Sequence, residues 1–260
     1  MPDGERLRYV ALGDSQTEGL GDGDPAHPRG WADRLAERLT AVDPEVTYAN
    51  LAVRGRLAGE VRAEQLAPAL ALRPHLVTVV AGVNDLMRPR FDAAEVAGHL
   101  EAMFADLTAS GARVATLTFP DVGKIAPIAR PLRARVFELN DRIREAGARH
   151  GVVVAETAPH AVCTDPRLWS ADRLHASPLG HERIAAAMAH ALGLPGSDDG
   201  WTLPLHPVVD PAGWGRALGA ELRWAGTFLG PWLVRRLLGR SSGDGRTAKR
   251  PALLPVRPAA

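Results

Sequence analysis

Tyr9-Val10-Ala11-Leu12-Gly13-Asp14-Ser15-Gln16-Thr17-Glu18-Gly19 passes from an apolar run straight into a turn and a polar segment. The apolar part reads as a buried strand that stops at a glycine, and the part after it as a helix start. Glycine permits a tight turn. A helix start leaves backbone N–H groups without intrahelical partners, here beside Ser15. A serine in that place is either a nucleophile or a helix cap. What the rest of the chain brings to the same edge decides between them.

Working outward, four further short runs resemble residues 8–12, at 46–52, 76–81, 114–118 and 152–155, which makes five. They are rich in Val, Leu and Ala and do not alternate cleanly, as expected of parallel strands covered on both faces. Between and after them, helical patterns occupy residues 31–42, 58–72, 93–110, 132–150 and 178–192, with apolar residues recurring at three and four, as in Leu35, Leu39 and Val42. Strands alternating with helices predict a doubly wound, three-layer α/β/α sandwich on a five-stranded parallel sheet. Such sheets bind ligands outside the carboxyl ends of their strands, so those loops are the ones to read.

Composition narrows the classes. The chain has 260 residues, 46% hydrophobic and 23% charged, with a net charge of +1. This is a globular composition with no electrostatic reason to expect nucleic-acid binding. The single cysteine, Cys163, excludes an internal disulfide framework and suits a reducing compartment. No apolar leader precedes residue 8 and no long uncharged apolar run occurs, so the expectation is a cytoplasmic protein without a transmembrane segment. Lys124 and Lys249 are the only lysines, which leaves little room for Schiff-base chemistry. Asp22, Asp24 and His27 lack a regular metal-ligand spacing, and no metal or cofactor is expected.

Four loops follow the strand ends. They carry Ser15, then Arg54-Gly55-Arg56, then Gly82-Val83-Asn84-Asp85, then Asp172-Arg173-Leu174-His175. Each suits one role in acyl transfer. Ser15 is a candidate nucleophile, His175 the base that takes its proton, and Asp172 the acid that orients the imidazole. The Ser15 and Gly55 N–H groups and the Asn84 amide are candidate oxyanion donors. The plainer readings are a turn relaxed by Gly55 and a loop capped by Asn84. Asp14 and Asp85 read as structural acids that bind loop N–H groups. His181, inside the last helix, reads as a packed histidine.

In order and spacing these four blocks resemble those of the SGNH hydrolases, the GDSL-type esterases and lipases, over residues 8–194. The resemblance implies a flavodoxin-like sandwich and hydrolysis of carboxylic esters without metal or cofactor. It implies Ser15, His175 and Asp172 as the triad, with Gly55 and Asn84 in the oxyanion hole. The second block varies in the family, and here two arginines flank its glycine. The expected partner is a small-molecule ester, whether a small acyl ester, a lysophospholipid-like ester or an acetylated substrate, hydrolysed through an acyl-enzyme. An acyltransferase or thioesterase would use the same triad, and a binding module with a vestigial site is the reading from another class.

Past this domain, assigned to residues 1–194, residues 195–240 read as a linker and a helical appendage with leucines across 214–240. Its basic end (Arg235, Arg236, Arg240) reads as a solvated face ahead of a peripheral membrane contact. Residues 241–260, rich in Gly, Arg and Pro, read as a tail with a disordered composition. The walls of the substrate pocket are expected from residues 21–30, 87–91 and 120–133. These segments mix apolar and basic side chains and favour no acyl group.

Overall fold

The computed structural model describes residues 6–24, 26–206, 226–227 and 243–256. In chain order its elements are β1 (Arg8–Gly13), α1 (Ser15–Glu18), β2 (Gly23–Asp24), β3 (His27–Pro28), α2 (Trp31–Leu39), β4 (Thr47–Asn50), α3 (Ala58–Ala71), β5 (Leu76–Val80), α4 (Val83–Leu86), α5 (Ala93–Ala109), β6 (Arg113–Leu117), α6 (Val122–Ile125), α7 (Arg133–His150), β7 (Val153–Ala155), α8 (Pro178–Ala191) and β8 (Arg250–Pro255). The helical appendage expected across 214–240 lies, apart from residues 226–227, outside the described residues.

The main sheet runs β7-β6-β5-β1-β4-β8. The first five strands pair in parallel and β8 is antiparallel to β4. Every residue of β5 is buried, the mark of a strand covered on both faces. Helices α2 and α8 pack together, as do α3, α5 and α7 in succession. Trp31, Tyr9 and Phe104 are among the largest side chains fully enclosed between these layers.

The sheet has six strands, not the expected five. Arg250-Pro251-Ala252-Leu253-Leu254-Pro255 holds two prolines, which gave it the look of a disordered tail. A strand at a sheet edge tolerates proline, because only one side must join the ladder. Arg250 secures this strand: its guanidinium donates to the Tyr48 carbonyl at 2.7 Å and lies 5.3 Å from the Tyr48 ring centroid. Lys249 adds an ion pair to Asp33 at 2.6 Å. Among the described residues no helix is long and apolar enough to cross a membrane.

Candidate active site

Strand β1 is continuous with the turn that presents Ser15. A Cβ on Gly13 would lie 2.3 Å from the Val80 carbonyl oxygen, so only glycine lets β1 end this close to β5. Gln65 holds the turn from α3, accepting from Gly13 N and donating to Gly13 O, each at 2.9 Å. Asp14 caps α1, its carboxylate accepting from Gln16 N at 3.1 Å. Ser15 opens the helix, so its N–H belongs to the unpaired first turn.

The fourth block returns to the same point. Ser177 caps α8, accepting from Gly180 N at 3.2 Å, with Pro178 in the first helical turn. Just before it, Arg173 adopts a left-handed φ of 57°, a conformation uncommon for a residue with a side chain. That kink folds the Asp172 carboxylate back over its own loop. Asp172 Oδ1 accepts from Ser170 Oγ at 2.6 Å, Leu174 N at 2.9 Å and His175 N at 3.0 Å. Oδ2 lies 2.6 Å from His175 Nδ1, and His175 Nε2 lies 2.9 Å from Ser15 Oγ.

Electrostatics assign the protons. Burial alone would raise the Asp172 pKa, but the hydrogen bonds and charge of His175 outweigh it and hold the carboxyl well below the usual carboxylate range. An ionised carboxylate only accepts, so Nδ1 carries the hydrogen. In the neutral imidazole, Nε2 then offers its lone pair to the Ser15 hydroxyl. The arrangement can take a proton from Ser15 and give it back.

The second and third blocks close the other side. Gly55 turns with φ 80° beside Arg54, whose guanidinium and backbone N–H both donate to the buried Glu18 carboxylate, the latter at 2.7 Å. That pair ties the Gly55 loop to α1. Asn84 Nδ2 donates to Asp14 Oδ2 and to the Arg56 carbonyl, both at 3.1 Å. The Asn84 amide is therefore bonded to the residue before Ser15 and the residue after Gly55. Burial raises the Asp14 pKa to about 7 and the Asp85 pKa to about 6. Asp85 accepts from Ala58 N at 3.0 Å and anchors α3, a structural role like that expected of it.

Two contacts have no counterpart in the sequence reading. Gln16 Nε2 donates to the Leu174 carbonyl at 2.8 Å, and its Oε1 accepts from Ala176 N at 3.2 Å. Gln16 thus grips the chain on both sides of His175 from the position next to Ser15. No sequence signal links residue 16 to residues 174 and 176. His181 is fully buried; its Nδ1 accepts from Trp31 N at 3.1 Å and its Nε2–H donates to the Leu20 carbonyl at 2.9 Å.

Ser15, Gly55, Asn84 and His175 line a cleft of about 600 Å³. Met87, Val122, Ile125 and Leu132 wall one part of it, and Leu168, Trp169 and Trp201 another. Of the described residues among 21–30, expected in the wall, none lines it. Asp22 pairs instead with Arg34 at 2.5 Å and Gly21 lies against the Ala176 carbonyl, while Asp24 and His27 are exposed.

A doubly wound sheet with these four loops on one edge defines a class, the SGNH hydrolases. The chain belongs to the GDSL-like lipase/acylhydrolase family, whose model matches residues 11–183. Among solved structures it is similar to LAE5, an alpha/beta hydrolase enzyme from the metagenome of Lake Arreo, at 25% identity and a TM-score of 0.60, over 72% of this chain and 95% of that one. It is equally similar in sequence to a lipase/acylhydrolase from Enterococcus faecalis, at 25% identity and a TM-score of 0.58, with the same coverage. Axe2, an acetylxylan esterase from Geobacillus stearothermophilus, shares the fold at 19% identity and a TM-score of 0.60, over 74% of this chain and 97% of that one. No curated protein matches the chain.

Proposed function

We propose that this protein is a serine esterase that hydrolyses carboxylic esters through an acyl-enzyme on Ser15. The observation that supports the reading is the unbroken line of hydrogen bonds from Asp172 through His175 to Ser15. In this reading Ser15 Oγ attacks the ester carbonyl carbon while its proton passes to His175 Nε2. Asp172 stabilises the imidazolium. The carbonyl π pair moves onto oxygen, where the N–H groups of Ser15 and Gly55 and the Asn84 amide receive the charge. Collapse breaks the ester C–O bond, and Nε2 returns its proton to the leaving alcohol. Water then repeats the sequence on the acyl-enzyme, releasing the acid and restoring the Ser15 hydroxyl.

Asn84 has both Nδ2 protons engaged. One of them must turn to the oxyanion, and the bond to the neutral Arg56 carbonyl is the cheaper to exchange. Asp14 then keeps the amide aimed throughout. Hydrolysis of p-nitrophenyl butyrate tests the reading. Wild type turns it over, and Ser15→Ala, which removes only one hydroxyl, loses at least a thousandfold in kcat while unfolding at an unchanged temperature. A Ser15→Ala protein as active as wild type would refute the assignment.

A further inference from the structure

The far end of the chain comes back to the active site. Strand β8 runs antiparallel to β4, with Arg250 opposite Asn50 and Leu254 opposite Tyr48, and β4 leads directly into the loop of Gly55. Lys249 fastens the approach to β8 from the other side: its ammonium donates to the Pro28 carbonyl at 2.8 Å and to Asp33 at 2.6 Å. Upstream of Lys249 the same segment follows β4 past its end. There Gly243 is buried against the Arg54 carbonyl oxygen and the Val53 side chain, and a Cβ at residue 243 would collide with that oxygen. Only a glycine lets the two backbones approach this closely.

The Arg54 carbonyl and the Gly55 N–H belong to one peptide unit. No peptide bond is cis among the described residues, and in a planar trans unit the C=O and the N–H point in opposite directions. Whatever meets the oxygen therefore sets where the N–H is aimed. The hydrogen bonds of the loop single out this N–H. Val53 N donates to the Gly13 carbonyl at 3.3 Å, Arg54 N to Glu18 at 2.7 Å and Arg56 N to the Val53 carbonyl at 3.4 Å. The Gly55 N–H donates to no group among the described residues, and Gly55 lines the cleft. Glu18 thus fixes the loop from α1, and Gly243 meets it at the one peptide whose N–H is left over.

We infer that Gly243 is a positioning residue for ester hydrolysis: packed behind the Arg54 carbonyl, it keeps the Gly55 N–H aimed at the oxyanion. This rests on the esterase reading above and adds to it a residue that acts through Gly55. Residues 243–256 are then a strap that braces the catalytic edge of the sheet.

The test uses the full chain and p-nitrophenyl butyrate. Gly243→Ala puts a methyl where the Arg54 carbonyl stands and must turn that peptide. One oxyanion donor is commonly worth about a hundredfold to a thousandfold. A misaimed one should cost at least about tenfold in kcat, counted per Ser15 that a fluorophosphonate can titrate, with KM within twofold. The inhibition constant of an alkyl trifluoromethyl ketone, whose adduct on Ser15 carries an oxyanion, should rise by the same factor. Gly245→Ala is the control. Residue 245 is exposed, has a φ of 71° and faces open space, so this change strains the same segment without touching Arg54, and kcat should stay within twofold. If Gly243→Ala does not fold, Lys249→Met/Arg250→Met decides: it loosens the strap from Asp33 and Tyr48, and kcat should fall at least threefold at constant KM. A wild-type kcat in Gly243→Ala, a loss that Gly245→Ala shares, or a change confined to KM overturns the inference. A wild-type kcat in the double variant overturns it where Gly243→Ala does not fold. If wild type hydrolyses no ester and Ser15 reacts with no fluorophosphonate, the esterase reading itself has failed. If wild type is active and the variants match it, only the role of Gly243 has.

Discussion

Gln16 stands next to Ser15 in the chain and beside His175 in space. Its amide reaches the Leu174 carbonyl and the Ala176 N–H, so it fixes the distance between the hydroxyl and the imidazole from the nucleophile's side. Proton transfer depends steeply on that distance. Replacing Gln16 with Leu keeps the bulk and removes both bonds. The expected result is a loss of about tenfold in kcat, equivalent to ~1.4 kcal/mol of barrier, with KM within twofold. Gln16→Glu keeps the acceptor for Ala176 N–H and should fall between the two. A steady-state comparison of the three proteins checks this; a change confined to KM would remove Gln16 from the positioning machinery. Ser15, Gly55, Asn84, Asp172 and His175 could be named as candidates from the sequence because each is a characteristic residue type in a loop that follows a strand. Gln16 was not, since glutamine after a serine has no meaning until the loop that it grips arrives from 158 residues away.

At the scale of elements, α8 does two jobs. Its N-terminus holds the Asp172–His175 loop, and its side chain at 181 fastens the loop between α1 and α2. Burial lowers the His181 pKa to about 4, against about 6.5 for an unconstrained imidazole. The folded state therefore binds the His181 proton less tightly than the unfolded state does. The stabilisation from His181 is complete above pH 6.5 and is lost as the pH falls toward 4. Asp14 and Asp85, whose pKa values are raised by burial, act with the opposite sign over part of this range, so the diagnostic is a difference. The stability advantage of wild type over His181→Gln should narrow by about 2 kcal/mol between pH 7 and pH 5. Urea unfolding at both pH values measures it, and a constant difference would show that His181 does not carry the proton linkage. The element boundaries were read to within a few residues, because buried strands and amphipathic helices carry their period in the sequence. Strand β8 escaped because its register depends on the free edge of β4 and on Arg250 meeting Tyr48, neither of which is local.

Over the whole molecule, the doubly wound order brings residues from four distant stretches to one edge of the sheet, and acyl chemistry needs all four. The sequence showed the loops in order; only the folded chain shows how they are joined. Asn84 is bonded to Asp14 and Arg56, Arg54 to Glu18, and Gln16 to the histidine loop. The central claim is that this framework activates Ser15. Reaction of the native protein with a fluorophosphonate, followed by peptide mass spectrometry, tests it most directly. The account predicts one covalent adduct, on Ser15, formed in step with the loss of ester hydrolysis and abolished in His175→Ala. An adduct on another residue, or full hydrolytic activity in a protein whose Ser15 has been quantitatively modified, would contradict it.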